Sequence, residues 1–292
     1  MKEKLLLIGD SGQLGTEWRY LFEKRGIPFT GVSSDKLDIT DRQAVDALFD
    51  AERPDFVINC AAYTAVDEAE DNPELAMRVN RDGVRHLAEA SARHDTVFVH
   101  YSTDYVFPGK KEDQSRYPRG YDEKASTEPV NQYGLSKLEG EKAIRETTDK
   151  HMIMRISWLN GVYGHNFIKT MLQLSRTKNE IKVVNDQFGS PSFAHNVVRN
   201  TVCMMQHGFH GTVHLSSGGL VNWYELATEI MHLVNAETQI VPVTTDQFGV
   251  KAPRPYFSKL DTGFIRTFDG SRIVNWQEGV QHLLRDPRLK LD

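Results

Sequence analysis

Residues 5–24 narrow the possible folds more than any other stretch. Leu5-Leu-Leu-Ile8 is four apolar residues long, the length of a buried strand and too short for the core of a signal peptide. It runs into Gly9-Asp-Ser-Gly12-Gln-Leu-Gly15 and then into a helical pattern from Thr16 to Lys24. A glycine turn between a strand and a helix is the setting in which such a motif carries meaning. The first glycine allows a tight bend, the next lets backbone approach a pyrophosphate, and the last permits close helix–strand packing. The phosphates then rest on the helix N-terminus. The spacing here is Gly-x-x-Gly-x-x-Gly rather than the commoner Gly-x-Gly-x-x-Gly, and a purely structural strand–helix turn is the alternative.

The pattern that follows repeats this alternation. Strands are expected at Pro28 to Val32, Asp55 to Ala62 and Thr96 to Tyr101. Helices are expected after Asp41, capped by Thr40 or Asp41, and from Pro73 to Arg93. Strand and helix alternating over the first 150 or so residues predict an α/β fold with a doubly wound parallel, Rossmann-type sheet. We expect residues 1–157 to form a dinucleotide-binding domain, with 183–217 returning to it. Residues 158–182 and 218–292 are then a smaller α/β substrate-binding domain. The Gly-, Pro- and charge-rich segment 108–127 reads as a long loop over the site. Asn80 faces inward by the helical count, either as a core amide or as part of an active-site network. His100 reads as a core residue on its strand, and His165, in a glycine loop, as solvated.

Composition removes several classes of function. The chain of 292 residues carries 35 Lys and Arg against 40 Asp and Glu, a formal net charge of -5, and so has no basic footprint for nucleic acid. No apolar run approaches the ~18 residues of a membrane helix. The two cysteines, Cys60 and Cys203, are far apart and without metal-ligand spacing, which fits two thiols in a reducing cytoplasm. The eleven histidines show no metal-ligand spacing either. The strand expected at Pro28 to Val32 ends at Ser33-Ser34-Asp35, two serines with an acid close behind and no arginine. That leaves NAD and NADP equally open.

A second feature concerns chemistry. In Glu128-Pro-Val-Asn-Gln-Tyr133-Gly-Leu-Ser-Lys137, a helix is expected to start near Asn131, its N-cap, and to run through Arg145. Positions four apart share a helix face, so the Tyr133 phenol and Lys137 ammonium face the same way. A neighbouring ammonium favours phenolate and is expected to lower the Tyr133 pKa toward the range of a general acid or base. A Tyr–Lys pair alone is common on surface helices. Here it follows a glycine turn after the first strand and a Ser102-Thr103 pair after the fourth.

That order resembles the extended short-chain dehydrogenase/reductase superfamily. Narrower motifs resemble its dTDP-4-dehydrorhamnose reductase family: Gly12-Gln-Leu-Gly15, Ala61-Ala-Tyr-Thr-Ala-Val-Asp67, Ser102-Thr-Asp-Tyr-Val-Phe107, Tyr133-Gly-Leu-Ser-Lys137, Arg155-Ile-Ser-Trp158, Asp186-Gln-Phe-Gly-Ser-Pro191 and Arg254-Pro255. They span nearly the whole chain. The resemblance implies an NADPH- or NADH-dependent oxidoreductase that reduces the C4 keto group of a dTDP-4-keto-6-deoxy sugar, in dTDP-rhamnose synthesis for polysaccharide. It implies that Tyr133 protonates the C4 alkoxide, that Lys137 lowers the Tyr133 pKa and holds the nicotinamide ribose, and that Thr103 hydrogen-bonds the carbonyl oxygen. Gly9, Gly12, Gln13, Leu14 and Gly15 would cradle the pyrophosphate, and Asp38 and Ile39 would flank the adenine. Ala61, Ala62, Tyr63 and Ser102 would line the cofactor path, while Asp104, Tyr105 and Trp158 would contact the sugar nucleotide. Arg254, between two prolines, is a candidate for the substrate diphosphate, because a guanidinium matches phosphate oxygens with two donors.

Some details depart from the resemblance. Residues 110–120 look longer than the family's loop, and Asn160 stands where Tyr is expected. Some members of the family hold Mg²⁺ through surface carboxylates, and no motif here carries that over. The expected partner is a small nucleotide sugar, and the expected assembly a monomer or homodimer. Two rival readings remain: another nucleotide-sugar enzyme such as a 4-epimerase or dehydratase, or a cofactor-binding regulatory subunit without turnover. A dehydratase would want a second carboxylate beside Thr103, which Thr103-Asp104-Tyr105 lacks. The intact Thr103, Tyr133 and Lys137 argue against loss of catalysis.

Overall fold

A computed structural model describes residues 3–291. The elements run β1 (Leu5–Ile8), α1 (Gln13–Arg25), β2 (Thr30–Val32), α2 (Arg42–Glu52), β3 (Phe56–Asn59), α3 (Val66–Asp71), α4 (Pro73–Met77), a π-helical turn (Arg78–Gly83), α5 (Val84–Arg93) and β4 (Val97–Thr103). After β4 come α6 (Asp113–Arg116), α7 (Gln132–Thr147), β5 (His151–Ile156), β6 (Leu159–Asn160), α8 (Phe167–Ser175), β7 (Glu180–Val184), β8 (Phe188–Gly189) and β9 (Ser192–Phe193). The chain ends with α9 (Ala194–Gln206), β10 (Gly211–His214), β11 (Val221–Asn222), α10 (Trp223–Leu233), β12 (Gln239–Val243), α11 (Thr245–Phe248) and α12 (Trp276–Arg285).

Six strands form one sheet in the order β10-β5-β4-β3-β1-β2, every neighbouring pair parallel. Successive side chains of a strand point to opposite faces, and β1 shows why all four of its residues are apolar. Leu5 and Leu7 pack with Trp18, Phe22 and Met204 beneath α1 and α9. Leu6 and Ile8 pack with Val45, Phe49, Leu87 and Ile144 beneath α2, α5 and α7. Helices therefore cover both faces, and the expected doubly wound sheet is what the structure has. The strand order reverses at β1, with β2 on one side and β3 on the other. Ligands of open α/β sheets bind beyond the strand ends at such a switch point.

A second core lies around the parallel pair β7–β12. Ile168 and Met171 of α8, Leu226 and Ile230 of α10 and Val280 of α12 close on Ile181 and Val183. The helix caps follow sequence-level rules. Asp41 accepts the Gln43 and Ala44 N–H groups, Asn131 accepts Gly134, and Asn222 with Glu225 makes a capping box on α10.

Two expectations are corrected. The helix over 73–93 is interrupted by the π turn, which places Asn80 where its amide accepts the Tyr63 N–H at 2.9 Å and donates to the Tyr63 carbonyl at 3.0 Å and Ser136 Oγ at 2.9 Å. Asn80 thus ties the segment after β3 to α7, and π turns of this kind are frequent at functional sites. Segment 108–127 is not a plain loop. It winds through α6 and docks on the C-terminal segment: Tyr121 stacks on Phe107 with ring centroids 4.4 Å apart, pairs with Leu260, and donates from its hydroxyl to Asp113 at 2.5 Å. Its aromatic residues are drawn into a small core with Phe257 and Leu260.

α7 lies close against the π turn at Gly140, where an added Cβ would sit 2.1 Å from the Asn80 carbonyl oxygen. Gly140→Ala is expected to cost about 1–3 kcal/mol, since backbone must move to admit the methyl. The shift in denaturation midpoint measures it, and an unchanged midpoint would show that the two helices separate freely.

Candidate functional site

The C-terminal ends of β1, β3 and β4 open into a cleft of about 470 Å³. One wall is the glycine turn. Gly9 has φ 75°, and a Cβ there would come within 2.7 Å of the Ala61 nitrogen. A Cβ at Gly15 would fall 2.1 Å from the Gly9 carbonyl oxygen. Both positions exclude a side chain, which packs the turn tightly between β1 and α1 and leaves backbone at the cleft surface. Gly12 is the N-cap of α1 and no side chain caps the helix, whose 13 residues point their N-terminus into the cleft beside Gln13 and Leu14. Uncapped N–H groups at a helix N-terminus are a ready anion site, and this wall fits a pyrophosphate. Ala61 and Ala62 form the wall after β3, where small side chains leave room for a flat ligand.

The opposite wall carries the chemistry. Ser102, Thr103 and Asp104 arrive from the end of β4, and Tyr133 and Lys137 from the first turns of α7. The Thr103 hydroxyl donates to Asp104 Oδ1 at 3.0 Å and accepts the Tyr105 N–H at 3.2 Å, and Tyr133 lines the same wall. Burial pushes the Asp104 carboxyl up to about 7, against the hydrogen bond from Thr103 that pulls it down, and its Oδ2 is buried without a partner among the described residues. Desolvation also pushes Tyr133 up to about 12, and the Asp104 charge adds to it. The lowering of Tyr133 by Lys137 expected from their spacing is not what the structure has. The Lys137 Nζ donates to the Tyr101 carbonyl oxygen at 2.6 Å and lies 3.2 Å from His100 Nε2.

Behind this wall is a buried charge pair. Tyr133, Lys137 and Glu141 follow one another at four-residue spacing on α7, so Glu141 continues the same face into the core. Its carboxylate accepts the Ser102 hydroxyl at 2.5 Å, two bonds from the Arg155 guanidinium at 2.9 and 2.7 Å, and one from Arg145 at 2.7 Å. Burial alone would raise the Glu141 pKa, but Arg155, Arg145 and Ser102 together hold it at about 2. This cross-link fixes α7 to β4 and β5, and with it the placement of Tyr133 and Lys137.

The remaining sequence-predicted residues lie at or outside the rim. Asp38 is exposed and caps its own turn through the Thr40 N–H and hydroxyl, while Ile39 is buried and would meet any Cβ at Gly83. Tyr63 is held by its backbone to Asn80 and reaches toward Glu68. Tyr105 meets Tyr133 edge-on at 5.8 Å. Trp158 lines the cleft at φ 45°, an unusual value for a non-glycine residue, and stacks on Trp223 at 3.7 Å. Arg254 is paired with Asp67 at 2.9 Å and lines an adjoining hollow with Asp186 and Lys251, so a diphosphate there would compete with Asp67. Asn160 is buried and braces the loop, donating to the Trp158 carbonyl oxygen at 2.7 Å and accepting the Ile168 N–H at 3.2 Å.

Several cleft residues escaped sequence reasoning. Asn59, Cys60, Thr64, Ile156 and Leu159 line it, as does the exposed His165. No local pattern marks them; the adjacency of strand ends puts them there. Among the described residues, no group of three or more His, Cys, Asp or Glu side chains is arranged to hold a metal, and no helix is long and apolar enough to cross a membrane.

Comparison with known proteins adds independent findings. The family model described as the RmlD substrate binding domain matches residues 3–288. The spore coat polysaccharide biosynthesis protein SpsK of Bacillus subtilis is 37% identical over 283 residues, covering 97% of this chain and 97% of that protein. The dTDP-4-dehydrorhamnose reductase of Escherichia coli is 34% identical over 296 residues, again covering 97% of each. The solved structure of dTDP-4-dehydrorhamnose reductase from Bacillus anthracis, in complex with NADP, matches with a TM-score of 0.92 at 36% identity. It covers 97% of this chain and 99% of that one.

The folded pKa of Glu141 lies below its ordinary value, so its contribution to stability is present above the ordinary carboxylate range and is lost as pH falls toward about 2. At neutral pH, Glu141→Ala strands the Arg155 charge in the core, at an expected cost of about 3–5 kcal/mol by urea denaturation. Wild-type stability in that variant would mean that the guanidinium finds another partner.

Proposed function

Because the chain belongs to the RmlD substrate binding domain family, we propose that it is an NAD(P)H-dependent reductase of the C4 keto group of dTDP-4-dehydro-L-rhamnose, yielding dTDP-L-rhamnose for polysaccharide synthesis. The observation that carries this reading is the presence of Thr103, Tyr133 and Lys137 together in a cleft walled by an uncapped helix N-terminus. A ketone bound there meets a hydroxyl and a phenol together, the arrangement that polarises a carbonyl and then protonates the alkoxide.

In this reading the pyrophosphate rests on Gly9, Gly12, Gln13, Leu14 and Gly15. Asp38 and Ile39 lie toward the adenine, and Ala61, Ala62, Tyr63 and Ser102 along the ribose path. A bound reduced nicotinamide supplies the hydride that C4 receives. The chain's own residues do the rest. Thr103 donates toward the carbonyl oxygen as it gains charge, and Tyr133 delivers the proton from its phenol oxygen. The high proton affinity of Tyr133 keeps that proton in place until the alkoxide forms, because an alkoxide is far more basic than a phenolate. Lys137 supports the ribose and the proton supply. Asp104, Tyr105 and Trp158 hold the sugar, and Arg254 exchanges Asp67 for the diphosphate. Residues 158–182 and 218–292 act as the sugar-nucleotide half, and the enzyme works in the cytoplasm as a monomer or homodimer.

The E. coli and B. anthracis proteins bear the name of this reaction over almost their full length. That favours a reductase over an epimerase, whose fold alone is shared at 16% identity by a UDP-glucose 4-epimerase from Thermus thermophilus.

The test follows absorbance of NADPH and, separately, NADH with the dTDP-4-keto-6-deoxy sugar generated in place. Oxidation dependent on both sugar and enzyme is expected. Its absence, from protein shown to bind the cofactor, would overturn the reading. Tyr133→Phe should lower turnover by about 10²–10⁴-fold with cofactor affinity nearly unchanged, and a wild-type rate would remove the proton-donor role. Lys137→Ala should weaken both turnover and cofactor binding, so unchanged affinity in a titration would separate Lys137 from the ribose.

A further inference from the structure

Behind Lys137 a chain of hydrogen bonds runs through two buried side chains that the reaction scheme above does not use. The Ala61 N–H donates to Asn59 Oδ1 at 3.0 Å, and Asn59 Nδ2 lies 3.1 Å from His100 Nδ1. His100 Nε2 lies 3.2 Å from Lys137 Nζ, which donates to the Tyr101 carbonyl oxygen at 2.6 Å. Asn59, His100 and Lys137 are almost wholly buried, so water does not stand in for missing partners.

The donors and acceptors allow one solution. The Ala61 N–H needs an acceptor, which fixes Asn59 with its oxygen toward Ala61 and its NH₂ toward His100. Nδ1 of His100 must therefore accept, and a neutral imidazole then carries its proton on Nε2. That proton points at Lys137 Nζ. An ammonium there would set N–H against N–H, whereas a neutral amine accepts the Nε2–H and still donates to Tyr101. Burial, reinforced by Lys137, keeps His100 well below the usual imidazole range and hence neutral. Burial likewise pushes Lys137 down to about 8, against the Glu141 charge and Cys60.

We propose that His100, locked in its Nε2–H tautomer by Asn59, is a positioning residue that stabilises the deprotonated amine of Lys137 and so sets the pH at which Lys137 loses its charge. The inference rests on the reductase reading and deepens it. Each turnover takes a hydride and one proton, the proton leaving the Tyr133 oxygen. A proton from solvent restores the phenol. When Lys137 Nζ loses its own proton, the freed lone pair accepts the His100 Nε2–H.

The other groups around Lys137 do not substitute for this. Glu141, from the same helix, is neutralised by Arg155 of β5 and by Arg145. Burial pushes the Cys60 thiol, after β3, far up, so it stays uncharged. Tyr133 holds its proton. The π turn contributes the neutral amide of Asn80, engaged with Tyr63 and Ser136.

Two measurements test the proposal. The first needs no turnover: long-range ¹H–¹⁵N correlation spectra of the wild-type protein, with His100 assigned by its loss in His100→Gln. The Nε2–H tautomer is expected from about pH 6 to 9, and an imidazolium or Nδ1–H tautomer would overturn the proposal. The second is the pH profile of kcat/KM for the sugar, whose basic limb should reflect loss of the Lys137 proton. In Asn59→Asp the carboxylate accepts from Nδ1–H, the tautomer reverses, and Nε2 becomes an acceptor for the ammonium. The limb should move up by about one pH unit, a tenfold rise in proton affinity. His100→Gln, which offers the ammonium a carbonyl oxygen, should move it the same way. A purely structural role would lower rate or stability in both variants and leave the limb in place, which would refute the proposal. If wild type shows no sugar-dependent oxidation at all, the reductase reading fails, and the tautomer spectrum still decides the Asn59–His100 arrangement.

Discussion

A buried ion pair between Glu141 and Arg155 is the contact on which the geometry of the site depends. Two charges in a core are costly unless each is fully hydrogen-bonded. Here the Glu141 carboxylate takes Arg155 through two nitrogens, Arg145 through one and the Ser102 hydroxyl through another. The pair joins α7 to the adjacent strands β4 and β5, and it acts on the residues that matter because of helix periodicity. Tyr133, Lys137 and Glu141 lie on one face at four-residue spacing. Anchoring the third aims the first two at the strand ends. On the other flank, Gly140 lets α7 lie against the backbone of the π turn, where Asn80 binds Ser136. The helix is thus held from both sides at a register that a slide of one residue would destroy.

The cleft combines a rigid half with a polar half. On the β1 side, Gly9 and Gly15 exclude side chains, so backbone and a helix N-terminus form the surface. On the β4 and α7 side, burial moves three cleft groups from their ordinary ranges: Asp104 up to about 7, Tyr133 up to about 12, Lys137 down to about 8. Groups shifted in opposite directions within one cleft are what proton transfer at neutral pH requires. The shift in each case favours the uncharged form, which a water-poor pocket dictates.

Local rules made much of this legible. The run Leu5 to Ile8 and the glycines after it implied a strand, a turn and a helix, and β1 and α1 follow. Asn131 and Asn222 announced their helices as caps. The motif around Tyr133 marked the reactive face. Reading failed where a partner far along the chain decides the outcome. Segment 108–127 looked like a loop over the site because it is polar and rich in Gly and Pro. Tyr121 instead finds Phe107 and Phe257, and the segment docks there. The helix over 73–93 looked uniform because Val79, Val84, Leu87 and Ala88 fall on one inward face, yet the structure carries a π turn at Arg78–Gly83.

The sequence by itself determined the alternation of elements, the parallel sheet, the glycine turn and the pairing of Tyr133 with Lys137 on one helix face. These depend on residues within a turn or two of each other. The tertiary structure decided which way Lys137 points and which groups hold their protons. His100 stands 37 positions from Lys137 and Asn59 another 41 from His100, and they meet because β3 and β4 are neighbours and α7 crosses behind them. A pKa depends on desolvation and on donors within a few ångströms, and neither is defined until the chain has folded.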